Sequence, residues 1–438
     1  MGRRAMAAGV LVVAVLASGA GGAPTRTAWF DRGVHVVGGP VAADGRVLAL
    51  VSTADRATWL EAFDPDNGKV QWKLPEAFSE ITPGVEVDPL AHGHTVLALV
   101  PDSAATGTIR LEGVDISTGT MSWRSASAFY LADAPTACPK PMGDRAFCVV
   151  GEGSSFGPTL VALSPATGAV LASVPHVQRA MGLDVYQSTS TAPTLLGVRV
   201  PGGLRWSRSV ASLYGAGYGP DYGWNFDRFG VRDVGEIGKK PVGKTLVLNT
   251  SKTLGLDAST GRRVWSDAGS FECDGAAGLS DTFLCVLTGT ARFAHGHITV
   301  SHDATGILEG FRPISGAITW RVPVGHLAAL MMGNVEVTDA HHMLVWSPHG
   351  QALLLDLRTG KTTTPARSET FWCEKDNLFK IRPPKGIGPL RVGSSFITPC
   401  DVRGRAVTAN GVPPGTASAT VGGMTVWASP SGLAAAPS

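Results

Sequence analysis

The residues of this chain whose types most readily do chemistry are its six cysteines and eleven histidines. His92-Gly93-His94, His295-Gly296-His297 and His341-His342 have the close spacing of metal-ligand pairs, neutral imidazole being the commonest side-chain ligand. Cys138, Cys148, Cys273, Cys285, Cys373 and Cys400 would either hold zinc as thiolates or form disulfides. The chain contains no Cys-x-x-Cys spacing, which argues against a zinc site and removes the c-type haem attachment motif. The histidines have an alternative explanation in the chain itself. His92-Gly93-His94 precedes the apolar run Val96 to Leu99 just as Asp44-Gly45-Arg46 precedes Val47 to Leu50, and His341-His342 stands in the same place before Met343 to Trp346. A short polar turn entering a strand accounts for all three positions. No catalytic, cofactor-binding or metal-binding residue is assigned, and no bound cofactor is expected.

What must position these residues is a repeated phrase. An apolar segment ends in an acidic or polar residue, a glycine follows four residues later, and a tryptophan often stands four residues beyond it. The copies run from Leu60 through Asp64 and Gly68 to Trp72, then Asp115, Gly119 and Trp123, then Ser164 and Gly168. Further on come Asp257, Gly261 and Trp265, then Arg312, Gly316 and Trp320, and finally Asp356 and Gly360. A period of roughly fifty residues marks a repeat architecture. The Asp accepts hydrogen bonds from backbone N–H groups ahead of it and the Gly supplies a positive φ, so the phrase is a turn between two strands. Together with the upstream turns it defines strand, turn, strand, connection, strand, turn, strand, which is one four-stranded propeller blade. A degenerate blade is expected between Gly168 and Gly261, around Leu195 to Val200 and Gly202 to Trp206, and another past Gly360, around Ser395 to Cys400 and Ala406 to Asn410. The fold class is therefore all-β, a β-propeller with eight blades favoured over seven. Abundant glycine, 16% charged residues and the lack of a long amphipathic pattern agree with this. The tryptophans end the outgoing strands, where a flat ring covers the seam between neighbouring sheets.

Export follows from the N-terminus, where Arg3 and Arg4 precede an uncharged run from Ala5 to Ala23. Residues 1–23 are either a signal peptide, with small residues permitting cleavage after Ala20, or an uncleaved membrane anchor. The cysteines agree with an oxidising compartment. Cys138 and Cys148 lie on the two arms of one expected hairpin and Cys273 and Cys285 on another, leaving Cys373 with Cys400; of the fifteen connectivities open to six cysteines, repeat alignment favours this one. The propeller is expected over residues 30–430, its first strand near Gly33 to Val37 and its last near Met424 to Ser429 completing a shared blade, with a flexible tail at 431–438. A net charge of +2 without a basic run makes nucleic acid an unlikely partner.

At the phrase Asp-x-x-Thr-Gly-x-x-x-Trp the chain resembles the pyrroloquinoline-quinone-like (PQQ-like) β-propeller repeat family, over about residues 40–410. The resemblance implies one of several functions: quinone-dependent alcohol oxidation, the scaffold role of eight-bladed outer-membrane assembly lipoproteins, or binding without a known reaction. Quinoprotein dehydrogenases characteristically carry two adjacent cysteines beside the quinone, and here no two cysteines are adjacent. The scaffold type therefore fits better, and a quinone enzyme or a small-molecule sensor is the alternative. The repeat is broken between Ser209 and Lys240 by an insertion carrying Tyr214, Tyr218, Tyr222, Trp224, Phe226 and Phe229. Aromatic residues on a rigid scaffold make contact surface for a partner. The other reading is a loop folded back over an apolar patch. Lys375 to Lys385 is a second departure, basic enough to meet an envelope polymer or simply to stay hydrated. The expected function is a non-catalytic, exported interaction scaffold whose partner is a protein or assembly of the cell envelope.

Overall fold

The computed structural model describes residues 28–32, 34–53, 57–77, 88–102, 107–153, 156–182, 184–220, 224–240, 246–248, 251–271, 282–294, 297–327, 336–381, 390–407, 413, 418–429 and 432–438. The N-terminal segment 1–23, Tyr222, Cys273 and the His295-Gly296 pair lie outside them. The architecture is a β-propeller of four-stranded antiparallel blades. Free-standing sheets are formed by Val34–Ala43, Arg46–Thr53, Thr58–Phe63 and Val70–Pro75, and by Val177–Ala180, Val185–Ser188, Thr194–Arg199 and Gly203–Ser209. Two more follow, Trp224–Phe229, Arg232–Ile237, Lys252–Asp257 and Arg263–Ala268, then Ser270–Phe271, Phe283–Thr288, Thr305–Arg312 and Ala317–Val324. The meanders at 90–124 and 129–175 are joined edge to edge through the pairing of Phe129 with Ile109. The strands of 336–363 are extended to six by a long hairpin, Phe371–Ile381 with Leu390–Cys400.

The middle strands explain why a ring is the stable solution. Arg46–Thr53 is buried at six consecutive positions, and Thr95–Pro101 at four. A strand buried on both faces reads as a continuous apolar run and must lie between two other layers. Each blade finds those layers in its neighbours, so one core cluster runs from Val37 to Leu163 across three blades.

The tryptophans supply the contact between successive blades. Trp29 Nε1 donates to Pro65 O at 2.7 Å, Trp72 to Ile116 O at 2.8 Å and Trp123 to Pro165 O at 2.6 Å. Trp206 donates to Ala258 O at 3.1 Å, Trp265 to Pro313 O at 3.0 Å and Trp320 to Leu357 O at 2.7 Å. In every case the acceptor lies in the turn phrase of the next blade, and the indole lies on that phrase's glycine so closely that a methyl group added to Gly68, Gly119, Gly168, Gly261, Gly316 or Gly360 would overlap it. Four of these tryptophans cross their own sheet over a residue without a side chain. Gly113, Gly197, Gly255 and Gly310 pair across the strand with Trp123, Trp206, Trp265 and Trp320. Trp206 places the degenerate blade, here 177–209, in the same chain of contacts as the regular copies.

Three expectations about the chain ends are corrected. The shared sheet is built from Ser418–Val421, Met424–Ser429 and Gly432–Pro437 with Trp29–Arg32 as its outer strand, and Val34–Ala43 instead opens the next blade. Residues 432–437 are thus no flexible tail. Leu433 and Ala435 are buried and the strand pairs on both edges, because small apolar residues fit a closing seam that longer ones would overfill. Ser395 to Cys400, expected in a further blade, belong to the strand Leu390–Cys400 of the long hairpin beside 336–363, and Trp372 meets Trp427 of the closing sheet edge-on at 6.4 Å.

Candidate functional site

Strand register sorts the two ends of the propeller. In the 224–268 blade, Trp224, Ile237, Lys252 and Ala268 are in line at one end, and Phe229, Arg232 and Asp257 at the other. The end with Asp257 carries the repeated turns. The opposite end carries the departures from the repeat: the 210–224 connection, and a small extra sheet of Leu246–Val247, Thr290–Ala294 and His297–Val300 built from connections of two adjacent blades.

The turn end is occupied by structural chemistry. Asp115 Oδ1 accepts from Thr118 N at 2.9 Å and from both the Ser117 and Thr118 hydroxyls, while Gly119 N donates to Asp115 O at 2.8 Å. These bonds, led by the Ser117 hydroxyl, lower the Asp115 pKa; at Asp257 the equivalent set, led by Ser259, lowers it to about 2. His94 Nδ1 lies 3.0 Å from Asp44 Oδ1 in the neighbouring turn, His342 Nδ1 lies 2.8 Å from Asp339, and His92 stacks on Phe147 at 4.8 Å. His94 and His342 thus face aspartates of turns, and His92 packs on an aromatic ring of the next blade. Among the described residues no three His, Cys, Asp or Glu side chains are grouped to hold a metal. Arg228 bridges Asp184 at 3.2 Å and Asp233 at 2.7 Å, clamping the blades at 177–209 and 224–268. Gly153-Ser154-Ser155-Phe156-Gly157 has the spacing of a nucleophile elbow, a pattern the sequence reading missed. It joins two antiparallel strands, Phe147–Gly153 and Phe156–Leu163, whereas an elbow joins a strand to a helix. Its two serines lie outside the described residues.

Disulfides join Cys138 to Cys148, with Cα atoms 4.9 Å apart, and Cys373 to Cys400, at 5.9 Å. Cys285 is disulfide-bonded as well.

The aromatic insertion divides into core and surface. Val210–Tyr214 forms a single helical turn capped by Ser209, whose hydroxyl accepts from Ser212 N. Tyr214 is fully buried, its hydroxyl donating to Gly235 O at 2.7 Å, and Phe226 is buried over Gly235. Expected as contact residues, these two are corrected to core: they pack with Val185, Leu195 and Trp206 of the 177–209 blade and with Ile237 and Leu254 of the 224–268 blade. Phe229 is half-buried at the turn end, against Val234 and Leu284, away from the other aromatics. Trp224 and Tyr218 remain partly exposed. The Arg179 guanidinium lies 3.3 Å above the Trp224 ring, and Lys252 Nζ is 6.0 Å from the Tyr218 ring. Tyr218 is bridged to Lys239, an exposed residue followed by exposed Lys240. Behind Arg179, Asp133 Oδ2 accepts from Ala180 N at 3.0 Å. Burial raises the Asp133 pKa to about 6, against the lowering effect of Arg179 and that N–H. Trp224 beneath Arg179, and Tyr218 near Lys239 and Lys252, are thus two partly exposed aromatic and basic contacts on one end, each suited to an aromatic or acidic group of another protein.

The same end holds a second feature that sequence reasoning did not find. Between the blades at 34–75 and 90–124 a small crevice, with room for about one water molecule, is lined by Leu50, Leu90, Leu97 and Leu99 with Glu76 and Asp88. Glu76 Oε1 accepts from Leu99 N at 2.9 Å, and Asp88 Oδ1 accepts from Gly39 N at 2.5 Å. Desolvation raises both pKa values, Glu76 strongly, with Glu112 adding to it. Glu76 lies in the irregular link after Val70–Pro75, where no repeat pattern singles it out.

No family model matches the chain, and no curated protein does. Solved structures similar to it include a quinohemoprotein alcohol dehydrogenase from Pseudomonas putida HK5, 12% identical, over 89% of this chain and 78% of that one, with a TM-score of 0.45. BamB from Moraxella catarrhalis is 11% identical over 92% of this chain and 98% of that chain, with a TM-score of 0.34. The computationally designed Ika8 protein is 11% identical over 93% and 100%, at 0.39. The fold rests on the sheets and their tryptophan contacts, and the chemistry on the residues themselves.

Proposed function

We propose that the chain is an exported propeller of the PQQ-like repeat type, with eight blades, that acts as a non-catalytic scaffold binding a protein or assembly of the cell envelope. Five free-standing four-stranded sheets, with a nine-stranded and a six-stranded sheet between them, support the reading of eight blades. The disulfides support an oxidising, extracytoplasmic location. One observation carries the binding reading: Arg179 stacked on the partly exposed Trp224, on the end where the repeat is interrupted and where Tyr218 lies near Lys239 and Lys252. Arginine, tryptophan and tyrosine are the residues that dominate protein–protein binding energy. A turn surface that served only solubility would present scattered charges instead.

The test is capture of the envelope partner by the protein carrying Arg179→Ala, Tyr218→Ala and Trp224→Ala together. The expected result is loss of a specific crosslinked or co-purified partner at unchanged circular dichroism and unfolding midpoint. Undiminished capture by the folded triple variant contradicts the proposal.

A further inference from the structure

We propose that the ring consists of two tryptophan-clamped halves joined at two seams that disulfide bonds hold shut, so that the reduced protein opens at those seams first. Nothing in this depends on the scaffold reading above. The indole contacts divide the chain. Trp29, Trp72 and Trp123 tie the closing sheet to 34–75, 34–75 to 90–124, and 90–124 to 129–175. Trp206, Trp265 and Trp320 tie 177–209 to 224–268, 224–268 to 270–324, and 270–324 to 336–363. The two seams left over, after 129–175 and after 336–363, have no such indole. At the tryptophan position the chain carries Ala172 in one blade and Thr364 in the other. The blade that follows Ala172 has also lost the receiving phrase, its turn being Val200-Pro201-Gly202-Gly203.

At both of these seams a disulfide-closed hairpin reaches across instead. The loop closed by Cys138–Cys148 pairs Pro141 with Val200 and donates Met142 N to Val200 O at 3.1 Å. The two cysteines themselves pack with Val198 and Val200 of the next blade in one apolar cluster. Cys373–Cys400 closes the hairpin Phe371–Ile381 with Leu390–Cys400, whose return strand runs beside Met424–Ser429 of the closing sheet and whose Trp372 meets Trp427. A loop must be ordered before it can dock, and a cross-link removes much of that cost from the undocked form. An indole clamp needs no such help, because its tryptophan projects from a strand already paired in its own sheet. Cys285 is bonded too, but its blade has an indole contact on each side. The four seam cysteines are at most 4% exposed, so a reductant enters when a seam parts transiently, and the seam then stays loose. Reduction is exchange with a small dithiol: the cysteine pair gains two electrons and two protons, and the dithiol closes to its own disulfide.

Hydrogen exchange followed by NMR on the full-length protein reads the seams separately. The amides of Met142 and Ala180, bonded to Val200 O and Asp133 Oδ2, cross the first disulfide seam, and the indole N–H protons of Trp123 and Trp206 report the clamped seams on either side. Cys138→Ala with Cys148→Ala should speed exchange at both amides by about tenfold or more while the two indoles stay within about twofold of wild type. Cys373→Ala with Cys400→Ala should leave those amides unchanged and shift the ring protons of Trp427, which Trp372 meets edge-on. Dithiothreitol added to the wild type should reproduce both effects. If the first variant fails to fold, the oxidised wild type in sub-denaturing guanidinium chloride takes its place: Met142 and Ala180 exchanging at lower denaturant than the indoles supports the proposal, and exchange of all four together contradicts it. Wild-type protection of Met142 and Ala180 in the folded variant, or indole protection lost in step with theirs, would likewise overturn it.

Discussion

At the scale of single residues, the same side-chain types serve opposite purposes depending on where the repeat places them. Trp206 and Trp224 are eighteen positions apart in the sequence. Trp206 is buried on Gly261 of the next blade, while Trp224 is partly exposed beneath Arg179. Gly261, at φ +64° and in contact with that indole, has two reasons to be glycine. Gly261→Ala should therefore cost about 1–3 kcal/mol through strain and overpacking, and Trp206→Ala about 3–5 kcal/mol, both read from denaturant unfolding. A change below about 0.5 kcal/mol at either site, the range of ordinary surface substitutions, would contradict the docking role. Asp133 offers a pH test. Its pKa is raised to about 6 in the fold from the usual carboxylate range near 4, so the folded state binds the extra proton. The stability it contributes is full below about pH 4 and is lost as the pH rises through 6. Asp133→Asn should flatten the fall in melting temperature between pH 4 and 7 relative to wild type; parallel profiles would show that Asp133 is not the titrating group.

At the scale of elements, the turn and strand pattern was legible because each Asp-x-x-x-Gly phrase is chemically self-sufficient, needing only its own backbone to close. Asp115 with Thr118 and Gly119 forms in the structure the turn that its sequence implies. What was not legible lay where tertiary partners decide. Tyr214 and Phe226 look like surface aromatics in a glycine-rich stretch, yet they are packed between two adjacent blades. Glu76 follows a proline in a connection with no periodicity, and only the approach of Leu99 from the adjacent blade gives it a place. Residues 432–437 look like a tail because alanines carry no strand signal of their own, and two neighbouring strands make them one. The disulfides act at this scale too, limiting how far a hairpin opens when the chain unfolds. Cys373–Cys400 spans 27 residues and Cys138–Cys148 spans 10. On loop entropy alone, replacing the first pair by serine should cost about 0.9 kcal/mol more than replacing the second. Comparing the two double variants by thermal unfolding checks this, and the reverse order would point to native-state packing instead.

At the scale of the whole molecule, closure is what makes the repeats cooperative. The closing sheet shares a core with the first blade, in which Val36, Val47 and Phe63 pack with Met424, Val426 and Leu433. Truncation after Ser429 removes the strand that pairs with both Met424–Ser429 and Trp29–Arg32, so it should abolish the single cooperative unfolding transition. A truncated protein that melts as wild type does would refute closure by this strand. The ring gives one end to uniform turns and the other to interruptions, and the functional account rests on that asymmetry. The most direct test is a photo-crosslinking amino acid placed in intact cells at Tyr218, on the interrupted end, or at Val231, exposed in a turn at the opposite end. The account predicts a discrete crosslinked envelope partner from position 218 and none from 231. Crosslinking from 231 alone, or equally from both positions, would contradict it.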